Sequence, residues 1–255
     1  MFIILLQTGF TRAVKQGRYQ RELLFDGVVP KNTSYYSNVF ESLTHLACAC
    51  KCCTNYPICV GYLYSSNLMR CRLLRKFLGE SERANDYNGS GWEYRSIEVN
   101  NLALRKAVIS SSISKVVSNT TLTASVDGLT DTTSWTELFQ TDYEYHPWLT
   151  INLGGMSIIK NVVLYNRKDE HGRWLHNVEI RVGNSFTWSE MELCGLFVGP
   201  SQTGKVHTIE CGTLLYGTYV TAKMVELNYI SDDLVTSVGK DILVLEEIVV
   251  NGLFV

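Results

Sequence analysis

Leu149–Leu153 alternates apolar and polar residues (Leu-Thr-Ile-Asn-Leu), the period of a strand with one buried face. A few residues on, Val162–Tyr165 is a short apolar run rich in β-branched residues, and Gly154-Gly155 predicts a break between the two. Arg167 and Asp169 close the second run. Two residues apart on a strand, they share a face. The carboxylate can then hold the guanidinium while its remaining donors face outward, or the two can form an ordinary surface ion pair. Earlier in the chain, Val60–Tyr64 predicts an alternating strand, Ser65–Asn67 a turn, and Met69–Leu74 a return strand. A helical period appears over Ser42–Cys53, where Leu43, Leu46, Ala47 and Cys50 recur at helical spacing and Ser42 or Thr44 serves as N-cap. Cys48 and Cys52, four apart, share one face of that helix. Residues 7–30 read as turns around one or two short strands, and Gly79–Ser90 reads as a polar loop.

Composition adds core and compartment to this picture. Of the 255 residues, 45% are hydrophobic and 19% charged, so there is a core to bury in one large domain or two ordinary ones. A net charge of -2 gives no basic field for nucleic acid. No apolar stretch approaches the length of a membrane span. Phe2–Leu6 reads either as the remnant of a secretion signal or as a first strand. Six of the eight cysteines fall between Cys48 and Cys71, a density that means disulfides or metal. Zinc would draw on Cys50, Cys52, Cys53, Cys59 and His45, but the second short-spaced pair of a zinc site is missing. Sequons at Asn32, Asn88 and Asn119 point instead to an oxidising, extracellular setting. The five histidines show no metal or nucleophile spacing, and no nucleophile elbow or phosphate loop occurs. The adjacent pair Asp232-Asp233 would face opposite ways on a strand, so the chain is not expected to be an enzyme.

The ordered set Asn101–Ala107, Ala124–Gly128, Pro147–Leu153, Asn166–Asp169, Leu175–Gly183, Cys194, Cys211, Gly217–Val220 and Leu243–Val250 resembles the F-type lectins (fucolectins). These are a branch of the discoidin-like β-sandwiches. The resemblance implies an antiparallel, mainly β jelly roll over residues 98–255, a Cys194–Cys211 bridge, and a shallow pocket for fucosylated or related glycans. In that pocket Arg167 maps onto the first basic residue and Asp169 onto its partner. The second basic position falls on Trp174, with Arg173 one place earlier. Either Arg173 takes the role or Trp174 packs on the sugar. The family's histidine position falls near Gln140, whose amide both donates and accepts. The resemblance also implies a calcium site. Ser110–Thr123 wraps toward it, Asp127 and Glu247 supply carboxylates, and Ala124, Leu129 and Glu246 offer carbonyls, as a hard cation requires. The competing reading of Asp127-Gly128 is a type I turn with an Asx hydrogen bond.

Cys48, Cys52, Cys59 and Cys71, with the closing segment Gly91–Tyr94, resemble the PAN/apple module. That resemblance covers residues 18–97, implies a small disulfide-stapled α+β unit, and implies the pairs Cys48–Cys71 and Cys52–Cys59. Cys53 can replace Cys52 in the second pair. Cys50 and Cys53 are surplus to the pattern and pair together, pair between chains, or stay free. The boundary falls between Ile97 and Asn101, with almost no linker. The whole reads as a secreted, calcium-assisted lectin whose apple-like unit is open to a protein partner. The alternative is an extracellular adhesion or scaffold protein that binds protein or lipid through loops such as Leu138-Phe139.

Overall fold

The computed structural model describes residues 18–41, 44–85, 87–117, 121–132, 134–227, 229 and 239–255. Phe2–Leu6, the sequon at Asn119 and the Asp232-Asp233 pair lie outside them.

The N-terminal unit is built on a five-stranded antiparallel sheet with a helix across it, beside a small two-stranded sheet of Val28–Val29 and Tyr87–Asn88. Its elements are β1 (Tyr19–Arg21), β2 (Tyr36–Glu41), α1 (His45–Thr54), β3 (Gly61–Ser65), β4 (Arg70–Leu74), α2 (Glu80–Asn85) and β5 (Trp92–Ile97). The sheet order is β1-β5-β3-β4-β2. Thr44 caps α1: its hydroxyl accepts from Ala47 N at 3.1 Å, satisfying one of the helix's open N–H groups, and Ser42 and Leu43 lie outside the described residues. The buried face of α1 carries Cys48 and Cys52, which bond to Cys71 in β4 and to Cys59 before β3. Cys52 therefore takes the second bridge, and Cys53 stays outside it. Each bridge contributes about 2–4 kcal/mol by restricting the unfolded chain. The expected loop over Gly79–Ser90 is in part the short helix α2. Glu82 is the reason: its carboxylate accepts from Gly79 N at 2.7 Å and pairs with buried Lys76 at 2.7 Å, closing the first turn.

The second unit is a β-sandwich. Its strands are β6 (Ala107–Ser110), β7 (Phe139–Gln140), β8 (Trp148–Tyr165), β9 (Val178–Gly183), β10 (Glu192–Phe197), β11 (Val206–Met224), β12 (Val244–Leu245) and β13 (Glu247–Phe254). The main sheet runs β10-β9-β11-β8-β13, then the two-residue strand Asn100–Asn101; β6 pairs with β8, and β7 pairs with β12 apart. The break expected at Gly154-Gly155 is instead a bulge within one 18-residue strand, with Gly154 at φ +83° and the register shifting between Asn152 and Ser157. Before the bulge β8 pairs with β6 and the end of β11; after it, with β13 and the start of β11. A single strand thus serves both ends of the sandwich, around a core that includes Leu149, Ile151, Val162, Leu164, Val220 and Ile248. Cys194 in β10 and Cys211 in β11 are bridged.

The two units meet on an apolar seam of Val60, Phe77, Ile97 and Ile158, flanked by Tyr56, Leu214 and Leu253. Tyr56 OH donates to Phe254 O at 2.9 Å, and Lys160 pairs with Glu22 at 2.7 Å.

Candidate functional site

The antiparallel register sets Tyr165, the last residue of β8, against both Glu247 and Val206. The loop that leaves β8 therefore begins beside Glu247. Asn166, 1% exposed, anchors that loop: its amide nitrogen donates to Gly172 O, Ser201 Oγ and Gln202 O at 2.7–2.9 Å, and its oxygen accepts from Arg167 N. Gly204 N donates to Arg167 O at 2.8 Å, and Thr203 Oγ1 donates to Asp169 O at 2.7 Å. The two loops lie so close that a Cβ on Gly172 would come within 2.3 Å of Thr203 N.

Arg167 and Asp169 are paired, but on this loop rather than on a strand, so the expectation of a shared strand face is replaced by loop geometry. The pair is not an ordinary surface ion pair either, because Arg167 is only 3% exposed. Its Nη2 donates to Asp169 Oδ2 at 2.5 Å and its Nε to Oδ1, a two-pronged arrangement that fixes the guanidinium plane. Nη1 is buried without a hydrogen-bond partner among the described residues. Burial pushes the Asp169 carboxyl up, but the hydrogen bonds and charge of Arg167 outweigh it, and the group titrates below its ordinary value.

Trp174 backs the pair. The guanidinium carbon lies 4.8 Å from its ring centre, His171 stacks on it at 4.4 Å, and Tyr143 meets its edge at 6.3 Å. Trp174 is itself buried in the short turn Gly172–Trp174, whereas Arg173 is exposed there. Gln140 is 3% exposed in β7, and its amide donates to Trp135 O, so it braces the neighbouring loop. Leu138 and Phe139 are buried, 3% and 0% exposed, so they do not form an apolar loop tip. Leu138 packs with Trp174, Ile242 and Val244, and Phe139 joins the main core of the sandwich, which alternation over two residues could not reveal. Sequence reasoning missed His171 and Tyr143.

The second group lies beside the first. The turn Leu122–Val126 ends at Asp127, whose Oδ1 accepts from Leu129 N at 2.8 Å, the Asx hydrogen bond. Glu247 is fully buried; its Oε2 accepts from Gly128 N at 3.3 Å, while Oε1 has no partner among the described residues. Burial above all, with help from the Asp127 and Glu246 charges, pushes the Glu247 carboxyl up to about 8. Glu246, 2% exposed, pairs with Lys168 Nζ at 3.1 Å, and the same ammonium donates to Thr130 O. Lys168 thus ties the Arg167 loop to the Asp127 loop. Ala124 is buried in the turn and Leu129 is exposed. Among the described residues, no three His, Cys, Asp or Glu side chains converge on a metal position, so any cation here would rely on carbonyl oxygens.

Residues 124–222 match the family model of a NedA-like, galactose-binding domain. A serum f-lectin (fucolectin) from striped bass, Morone saxatilis, is 23% identical; the likeness covers 61% of this chain and 49% of that one, with a TM-score of 0.51. The chain thus spans about half the length of that lectin. A fucose-binding module of Streptococcus pneumoniae is 18% identical over 60% of this chain and 94% of that one, with a TM-score of 0.45. A family 32 module from Clostridium perfringens NanJ, in complex with galactose, is 11% identical over 60% of this chain and 98% of its own, also at 0.45. No curated protein matches the chain. No helix among the described residues is long and apolar enough to cross a membrane. The sandwich has a discoidin-like β-sandwich fold.

Proposed function

We propose that the chain is a secreted glycan-binding protein that grips neighbouring sugar hydroxyls through Arg167, oriented by Asp169. The observation that carries this reading is the Arg167 guanidinium, held in plane by two hydrogen bonds to Asp169 while Nη1 has no acceptor among the described residues. A buried donor without a partner costs about 1–3 kcal/mol. Because Nη1 is buried, a sugar oxygen reaches it only as the rim around it opens; it then relieves that cost, and the sugar's own O–H finds an acceptor in Asp169. Arg173 adds a second cation at the same turn, and Tyr143, 37% exposed, offers an aromatic rim. Trp174 supports the guanidinium from behind rather than facing the sugar. Gln140 supports through its loop rather than by contact, and His171 is the imidazole available at the site.

We assign calcium to the neighbouring group, with Asp127 and Glu247 as carboxylates and Ala124, Leu129 and Glu246 as carbonyl donors. The fit rests on the buried, unpartnered Glu247 Oε1 beside Asp127, two acids whose mutual repulsion a cation relieves. When bound, the ion supplies positive charge there. The chain's own contribution is to hold the Asp127–Thr130 loop against Lys168 and hence against the sugar loop. Residues 18–97 are read as an apple-type module for a protein partner, supported by the helix stapled to its hairpin. Three closed bridges fit an extracellular compartment.

The test is calorimetric titration of the full chain with L-fucose, galactose and fucosylated oligosaccharides, in calcium and in EDTA. Binding of at least one sugar, weakened tenfold or more by Arg167→Lys at unchanged Tm, is the expected result. Equal affinity in Arg167→Lys moves the site elsewhere, and no binding of any glycan rejects the reading.

A further inference from the structure

All eight cysteines lie among the described residues. Six close in three bridges, and Cys50 and Cys53 remain as exposed thiols on α1. The helix is continuous from His45 to Thr54 and buries Cys48 and Cys52; Cys50 and Cys53 stand three residues apart on its exposed side, with the Cys53 thiol 3.6 Å from Tyr19 Oη. An intrachain bridge between them is disfavoured. Side chains three apart on a helix keep their Cβ atoms about 5–6 Å apart, whereas a disulfide needs about 3.5–4.5 Å. Every other cysteine is already paired, so the favoured thiol partner comes from outside the chain. The surroundings favour contact over solvation: Leu46, one turn before Cys50, is 73% exposed, and Ile58, just beyond the helix, is 53% exposed.

We propose that Cys50 and Cys53 join two copies of this chain through disulfides between their α1 helices. A second copy is the occupant because the pair is self-complementary about a twofold axis. With the helices antiparallel, Cys50 of one copy faces Cys53 of the other, and the symmetry-related contact repeats it, leaving no thiol over. Each bridge forms by two exchange steps with a small-molecule disulfide such as oxidised glutathione. The Cys50 thiolate attacks that disulfide, forming a mixed disulfide and releasing one glutathione thiolate. The Cys53 thiolate of the second copy then attacks the Cys50 sulfur and displaces the other. Two protein thiols are oxidised and one glutathione disulfide is reduced to two thiols; their protons pass to the leaving thiolates. The linkage presents two sandwiches at once, so a weak sugar site gains through effective concentration. It stands independently of whether sugar binds.

The experiment places the full chain in a glutathione redox buffer and follows it by non-reducing electrophoresis and light scattering. A species of twice 28.8 kDa that collapses on reduction is expected, absent in the Cys50→Ser/Cys53→Ser double variant. That variant should keep the wild-type Tm, because both side chains are exposed. A wild-type monomer overturns the proposal, whether peptide masses show its two thiols free, capped by glutathione, or closed on each other.

Discussion

Glu247 offers the sharpest quantitative test. It is fully buried at the start of β13, with one oxygen on Gly128 N and the other without a partner among the described residues, and burial pushes its carboxyl up to about 8 from 4.5. Because the folded pKa lies above the unfolded one, the folded state holds a proton that the unfolded state releases between those values. The associated stability is fully present below about pH 4.5 and is lost as pH rises through about 8. At about 1.4 kcal/mol per pH unit, the loss is on the order of 5 kcal/mol, an upper bound for a group that relaxes or admits water on ionising. For a chain of this length that translates to a fall in Tm of order 10 °C between pH 5 and 8.

On the proposed assignment calcium should reverse the effect, because it would bind the ionised carboxylate and only the native state would present the full donor set. The assay is thermal unfolding from pH 5 to 8 in EDTA and in millimolar calcium. Glu247→Gln is the control, because the amide cannot ionise. His45 and His207 titrate below their ordinary values because of burial, and Glu210 titrates above its own for the same reason. These groups contribute their own slopes, so the difference between wild type and Glu247→Gln is the measured quantity. The variant should be the more stable protein at pH 8 in EDTA, and calcium should stabilise the wild type far more at pH 8 than at pH 5. If wild type and variant show the same pH dependence, Glu247 is not the raised group. If calcium leaves Tm unchanged at pH 8, the cation site is wrong even if the titration is right.

Asp169→Asn should weaken sugar binding less than Arg167→Lys, since the amide oxygen still accepts from the guanidinium; calorimetry ranks the two, and a larger loss in Asp169→Asn would refute the orienting role. The same carboxyl titrates below its ordinary value, so its pairing contributes stability above about pH 4 that is lost as pH falls through the depressed pKa; acid unfolding of Asp169→Asn should show a shallower slope there. Gly172→Ala should destabilise by about 1–3 kcal/mol in denaturant titration, because its Cβ meets Thr203 backbone; a neutral result would mean the two loops separate freely. Lys168→Met should leave both sites present but reduce the effect of calcium on sugar affinity. An unchanged ratio of affinities in calcium and EDTA would show that Lys168 does not couple them.

The parts of the fold written in periodicity were legible, and those written in tertiary contact were not. The alternation over Leu149–Leu153 and Val162–Tyr165 does mark strand residues, but whether Gly154-Gly155 ends a strand or bends one depends on neighbours. Here β6, β11 and β13 offer partners on both sides of the bend, so the ladder continues through it. Helix α2 lay hidden because its stability comes from Glu82 closing on Lys76 and Gly79, a contact that polar composition alone does not announce. At the site, the two-residue spacing of Arg167 and Asp169 was enough to suggest the pair. Their burial was not legible, because it is imposed by Trp174, by the Asn166 hub and by a loop more than thirty residues away. His171 and Tyr143 reach the same place from different segments, with nothing in their local pattern to mark them.

How the two units meet bears on how any ligand site can be studied. Ile158 and Leu253 of the sandwich pack on Val60, Phe77 and Ile97 of the N-terminal unit. Lys76, 7% exposed, donates across the seam to Gly212 O at 3.0 Å, and Tyr56 donates to Phe254 O. Cutting the chain near Ile97 would expose that apolar seam on both fragments and leave Gly212 and Phe254 without their donors. The seam also touches β8 at Ile158, beside its bulge, and the same strand ends at Asn166 and Arg167. The N-terminal unit therefore packs on the strand that positions the Arg167 loop. A sandwich expressed alone should lose stability first through β8 and β13, so a weak glycan affinity measured on it would report strand fraying as well as the chemistry of Arg167.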